Sequence, residues 1–123
     1  MGLCIVVNKT GDEWDIGYRG YFILRYLILK EIDENVADVW RDRCLNRGRR
    51  LTLEEFKKIY DFKLADFIYH SDCSGILGRR KVKRTLLALE KINFKNEDWK
   101  EYFDGLKNIL RIAVANKSSV RYY

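Results

Sequence analysis

Leu3-Cys4-Ile5-Val6-Val7 is a short apolar run rich in β-branched residues, and Asn8-Lys9-Thr10-Gly11-Asp12 follows it with the composition of a turn. The pair reads as a buried strand and a loop. A partner strand is on offer at the other end of the chain, where Val120-Arg121-Tyr122-Tyr123 has strand-forming residues. Most of what lies between reads as helix, so this run decides the fold class. With it, the chain is an α+β domain dominated by four to five helices, with a small sheet built from the termini. Without it, the chain is an all-α bundle. A length of 123 residues is expected to form one domain over residues 1–123.

Moving inward, Tyr18, Phe22, Arg25, Tyr26 and Leu29 share one helical face between Tyr18 and Ile32, while Ile23, Leu24, Leu27 and Ile28 fill most of the rest. A helix apolar on nearly all sides is covered by its neighbours, which makes this the expected central helix. Asn35 is placed to cap a second helix through Val36, Val39, Trp40 and Cys44, ending at Asn46-Arg47-Gly48. Thr52 and Glu55 match a capping box for a third, with Phe56, Ile59 and Tyr60 at helical spacing. Asp66 to His70 fits either a continuation of that helix or a strand. Val82, Leu86 and Leu89 mark a fourth helix. Asn96 caps a fifth, in which Trp99, Phe103, Leu106, Leu110 and Ala113 form a continuous stripe that Asn116-Lys117-Ser118-Ser119 ends. The chain has no proline, so its breaks come from glycine and polar clusters.

Composition removes several function classes. A chain 47% hydrophobic and 14% aromatic is not of the disordered type. The longest apolar run, Tyr21 to Leu29, is broken by Arg25 and falls short of the roughly 20 residues that span a bilayer, so no membrane partner is expected. Met1 to Val7 lacks a positively charged start and a cleavage site, and Val6 stands where a myristoylation signal wants Ser or Thr. A cytoplasmic location follows as the expectation. Cys4, Cys44 and Cys73 are odd in number and widely spaced, which fits reduced thiols. The net charge of +6, from 24 basic and 18 acidic residues, favours acidic partners and argues against a mimic of DNA.

Chemistry concentrates in Tyr69-His70-Ser71-Asp72-Cys73-Ser74-Gly75, which gathers the only histidine, a carboxylate and a thiol. As catalytic candidates, Cys73 would attack, His70 would act as base and Asp72 would orient the imidazole; a water-activating His70–Asp72 pair is a variant. As metal ligands they converge poorly: on a strand His70 and Asp72 point one way and Cys73 the other, and no second histidine exists. No metal and no cofactor is expected. A turn accounts for every residue type without further ligands, with Asp72 or Ser71 accepting backbone N–H bonds, Gly75 at positive φ and Cys73 packed as a small side chain. Such a turn displays His70 and Asp72 to a partner.

These residues carry a resemblance. Met1-Gly2-Leu3, Gly17 with Phe22 and Arg25, His70-Ser71-Asp72-Cys73 with Gly75, and Trp99 through Phe103-Asp104-Gly105-Leu106 to Ala115-Asn116 together resemble a family of small uncharacterised bacterial and phage proteins. Those proteins share a His-Ser-Asp-Cys-Asp-Gly segment, in which this chain has Ser74 in place of the second aspartate. The resemblance implies bacterial or phage origin and a common architecture. It implies no activity, and the departure at Ser74 weakens any chemistry that needs two carboxylates.

Two arginine-rich stretches remain: Arg41, Arg43, Arg47, Arg49 and Arg50, and Arg79, Arg80, Lys81, Lys83 and Arg84. The second precedes an apolar helical stripe, an unfavourable place for cations relative to the helix dipole that an anionic partner would relieve. Arg79, Arg80, Lys83 and Arg84 are therefore candidate binding residues beside His70 and Asp72. Tyr69, Tyr122 and Tyr123 are candidates for stacking on unpaired bases. The expected function is a non-catalytic cytosolic binding protein of bacterial or phage origin that neutralises a partner, as immunity or anti-defence proteins do. The alternatives are a nucleic-acid-binding module using residues 41–50 and 79–84, and a small enzyme using His70, Asp72 and Cys73.

Overall fold

The β-branched run at the amino end forms a strand, β1 (Gly2–Val7), and the carboxyl end returns beside it as β4 (Val120–Tyr122). Ile5 stands opposite Tyr122, Val6 opposite Arg121 and Val7 opposite Val120, in antiparallel register. A computed structural model describes residues 2–45, 64–68 and 75–122. Two further strands join the sheet in the order β2-β1-β4-β3, β2 being Glu13–Gly17 and β3 Gly75–Leu77. The helices are α1 (Tyr18–Ile32), α2 (Glu34–Leu45), α3 (Ala65–Ile68), α4 (Arg79–Glu90) and α5 (Lys100–Ala115), the last entered through a 3-10 turn, Glu97–Trp99. The fold is a helix-dominated α+β arrangement with an antiparallel sheet, and the all-α bundle is set aside.

Strand alternation sorts the sheet into two faces. Ile5, Val7, Ile16, Leu77, Val120 and Tyr122 are buried on one of them, with Val7, Val120 and Leu77 aligned in one cross-strand row. The β1–β2 connection turns on Gly11 at φ +78, a left-handed position that suits glycine. Gly11 N–H donates to the Val7 carbonyl at 2.8 Å, and Val7 N–H to the Asp12 carbonyl at 2.9 Å.

α1 follows β2 directly and is buried through Tyr21, Leu24, Arg25, Ile28 and Leu29. Of the face expected from periodicity, Arg25 and Leu29 are buried, whereas Tyr18, Phe22 and Tyr26 are partly exposed and pack at the edge of the core. Tyr21 takes the deep position, its hydroxyl donating to the Tyr122 hydroxyl at 3.2 Å and its ring lying edge-on to Phe67. The start of α2 also differs from expectation. Asp33, not Asn35, is the cap, because Asp33 holds the extended backbone and its Oδ1 accepts from Asn35 N–H at 2.9 Å and Val36 N–H at 3.2 Å. Residues 65–68 are helical, whereas the expected third helix beginning at Thr52 and the stop at Asn46-Arg47-Gly48 lie outside the described residues.

α4 buries Val82, Thr85, Leu86 and Leu89 against α5, which buries Phe103, Leu106, Ile109, Leu110 and Ala113 and packs on β1 and β2. Asn96 Oδ1 accepts from Trp99 N–H at 3.2 Å, as its capping role requires. Gly105, inside α5, lets the helix lie against Trp14: a Cβ there would sit 2.5 Å from the indole Nε1. That close approach outweighs the roughly 1 kcal/mol that glycine forfeits in a helix.

Candidate functional site

The departure of α5 toward β4 sets the geometry of the site. Ser118 N–H donates to the Ala113 carbonyl at 2.8 Å and Lys117 N–H to the Val114 carbonyl at 3.1 Å, the paired bonds of a Schellman motif. Its left-handed position is filled by Lys117, at φ 51, where glycine is the usual occupant. The Ser118 hydroxyl accepts from Lys9 N–H at 3.0 Å, and Asn8 Nδ2 donates to Ser119 Oγ, which fastens this exit to the β1–β2 turn. Lys117 is thereby held beside the start of α4.

There it meets Arg79, Arg80 and Lys83. The four cations and Val114 line one open groove of about 520 Å³. Gly78 caps α4 without a side-chain hydrogen bond, and the first turn carries no acidic residue. The helix holds five cations against one carboxylate, a net +4 of the chain's +6. That carboxylate, Glu90, is at the far end and accepts from Arg111 Nε at 3.2 Å. Among the described residues, no ion pair or hydrogen bond engages the side chains of Arg79, Arg80, Lys83 or Lys117. A second crevice, about 400 Å³, continues along α4 between Arg80, Lys83, Arg84, Leu87, Ala88 and Lys91.

The other expected site residues divide cleanly. His70, Asp72 and Cys73 lie outside the described residues, as do Tyr69 and Tyr123; Gly75 has φ +109, as the turn reading expects, and opens β3. The stacking role expected of Tyr122 is corrected: the ring is 1% exposed, and its phenol is raised well above the usual range by burial and by Tyr21 beside it. Of the first arginine stretch, Arg41 is taken up internally. It lies 3.7 Å from Asp38 and 3.4 Å from Asp42, and it donates to the Tyr26 hydroxyl at 3.2 Å. Arg47, Arg49 and Arg50 lie outside the described residues.

Cys4 is a free thiol on β1, pushed up to about 11 by burial, by its hydrogen bond to Glu13 and by the charges of Glu13 and Asp15. At neutral pH it is protonated, a poor nucleophile and a poor ligand. Among the described residues, no three His, Cys, Asp or Glu side chains group so as to hold a metal ion, and no helix is long and apolar enough to cross a membrane. Compared with family models, curated proteins and solved structures, the chain finds no match.

Lys117 and Val114 are the members of the groove that sequence reasoning missed. A lysine in the run that ends α5 is ordinary; only the left-handed turn brings it to α4.

Proposed function

We propose that the chain is a non-catalytic binding protein that grips an acidic partner in the groove between the start of α4 and the end of α5. One observation carries this reading: Arg79, Arg80, Lys83 and Lys117 line the same groove, and the chain places them there at local expense. Cations in the first turn oppose the helix dipole by about 0.3–1 kcal/mol each. A lysine in the left-handed region forfeits about 1–2 kcal/mol relative to an ordinary conformation. The first penalty falls as an anion enters, because it complements the dipole and the cations together; the second is a fixed backbone cost that the placement of the Lys117 ammonium beside the other three offsets. We assign the protein to the cytosol and to conflict between bacteria and phages, where it neutralises its partner. The resemblance at His70 to Gly75 supports that setting, and His70 and Asp72 stand as further contact residues on sequence grounds.

Fluorescently labelled polyglutamate, titrated at low salt, tests the groove. Arg79→Glu with Arg80→Glu is expected to weaken binding about tenfold or more, the size of losing charge-assisted contacts. Arg19→Glu with Lys95→Glu, the same charge change on exposed residues elsewhere, is expected to weaken it far less. Equal losses in the two pairs would show only a net-charge effect and would reject the groove.

Lys117 gives an independent prediction. Lys117→Gly is expected to raise stability by about 0.5–1 kcal/mol in urea unfolding, the relief of the left-handed residue less the added freedom of the unfolded chain. Its polyglutamate affinity is expected to fall. Opposite signs in the two measurements mark a residue kept for binding; a variant both less stable and equally tight would contradict that.

A further inference from the structure

The second crevice carries the proposal further. Its residues recur along one face of α4 at the spacing of successive helical turns, from Arg80 through Lys83, Arg84, Leu87 and Ala88 to Lys91, the cap at its end. The stripe runs about 16 Å at 1.5 Å per residue. Leu87 is 51% exposed at its centre, with the half-buried Ala88 beside it and cations on either side. The stripe joins the groove through Arg80 and Lys83, which line both.

We propose that this face seats an acidic amphipathic helix of the partner protein, with an apolar residue of that helix against Leu87 and Ala88 and its carboxylates on the flanking cations. The proposal rests on the reading of the groove as a site for an acidic partner and names the element that enters. Charge complementarity selects the occupant. A second copy of this chain would bring the same row of cations and be repelled. A nucleic-acid strand has no use for a leucine at the centre of its track, and among the described residues neither crevice is lined by an aromatic ring on which bases would stack. An amphipathic helix uses every part of the stripe, because its own residues recur at the same three- and four-residue spacing and cover Leu87 while the lysine and arginine stems lie along its sides.

The test uses the whole chain and synthetic helical peptides of about 15 residues, long enough to populate a helix, with Leu on one face and Glu on the flanks. A scrambled peptide of the same composition, an oligothymidylate and phosphatidylglycerol vesicles serve as competitors. The patterned peptide is expected to bind at least tenfold more tightly than the scrambled one. Leu87→Asn, an exposed position where folding is undisturbed, is expected to remove that preference and leave polyglutamate binding intact. Equal affinity for patterned and scrambled peptides, with polyglutamate still dependent on Arg79 and Arg80, would overturn the helix and leave the groove standing. Polyglutamate binding indifferent to Arg79 and Arg80 would overturn both. Vesicles or oligothymidylate that outcompete the patterned peptide would overturn the proposal in favour of a lipid surface or a nucleic acid.

Discussion

Phe103→Ala is expected to lower stability by about 3–5 kcal/mol, the range for truncating a buried aromatic ring. Phe103 is fully buried in α5 and stacks on Phe94 with ring centroids 4.5 Å apart and planes 13° from parallel. Its other surroundings are unusual for a core ring, since Lys107 Nζ lies 4.8 Å and Lys100 Nζ 5.8 Å from its centroid. Truncation therefore removes a stacking partner, two cation–π contacts and the support of the Phe94 ring, and leaves a cavity that a helix on a sheet closes poorly. Urea unfolding measures the loss as a lower midpoint at an unchanged slope. Phe103→Leu keeps most of the volume and is expected to cost about 1–1.5 kcal/mol. If alanine costs no more than leucine, Phe103 does not anchor the contact between α5 and the segment that carries Phe94.

The elements that could be read from the chain are those whose signal is local and redundant. β1 has four apolar residues in the run Leu3 to Val7; α4 and α5 each have a stripe at helical spacing. In α1 the helix was legible but its inward side was not, because apolar residues surround it and periodicity then gives no preferred face. Tertiary contact with Phe67 and Tyr122 chose Tyr21. β2 escaped notice because Glu13-Trp14-Asp15-Ile16-Gly17 offers two apolar residues between turn-forming flanks, and its alternation has meaning only once β1 lies beside it. β3 is three residues long, and pairing with β4 is what makes it a strand.

The basic half of the site was half legible for a similar reason. Arg79, Arg80 and Lys83 are adjacent in the chain, so their shared location could be seen before the fold was known. Lys117 lies a helix hairpin away and reaches them through a turn whose handedness no composition records. Conversely, Arg41 looked equivalent to Arg79 in sequence, and it is the neighbouring carboxylates Asp38 and Asp42 that take it out of play. Charge runs announce cations; only the fold tells which of them are still unpaired.

Arg25 is the residue whose replacement distinguishes two accounts of this core. It is 7% exposed, its guanidinium lies 4.4 Å from the Tyr21 ring centroid and 5.3 Å from that of Trp40, and Nη1 donates to the Ile68 carbonyl at 2.7 Å. Nε is buried without a hydrogen-bond partner, and among the described residues no carboxylate pairs with the group. The arginine thus ties α1 to the Trp40 of α2 and to the last carbonyl of α3 while carrying a charge that burial disfavours. Arg25→Ala removes the stem, opens a cavity, strands the Ile68 carbonyl and abolishes both ring contacts, so a loss of about 3–4 kcal/mol is expected. Arg25→Met keeps the stem and sheds the charge. Its lost hydrogen bond is offset by the relieved desolvation, and a change within about 1.5 kcal/mol is expected. Chemical unfolding of the two variants side by side measures the difference. If methionine costs as much as alanine, the guanidinium itself stabilises the fold by more than its burial takes away, and the π faces of Tyr21 and Trp40 serve Arg25 as a full counterion would.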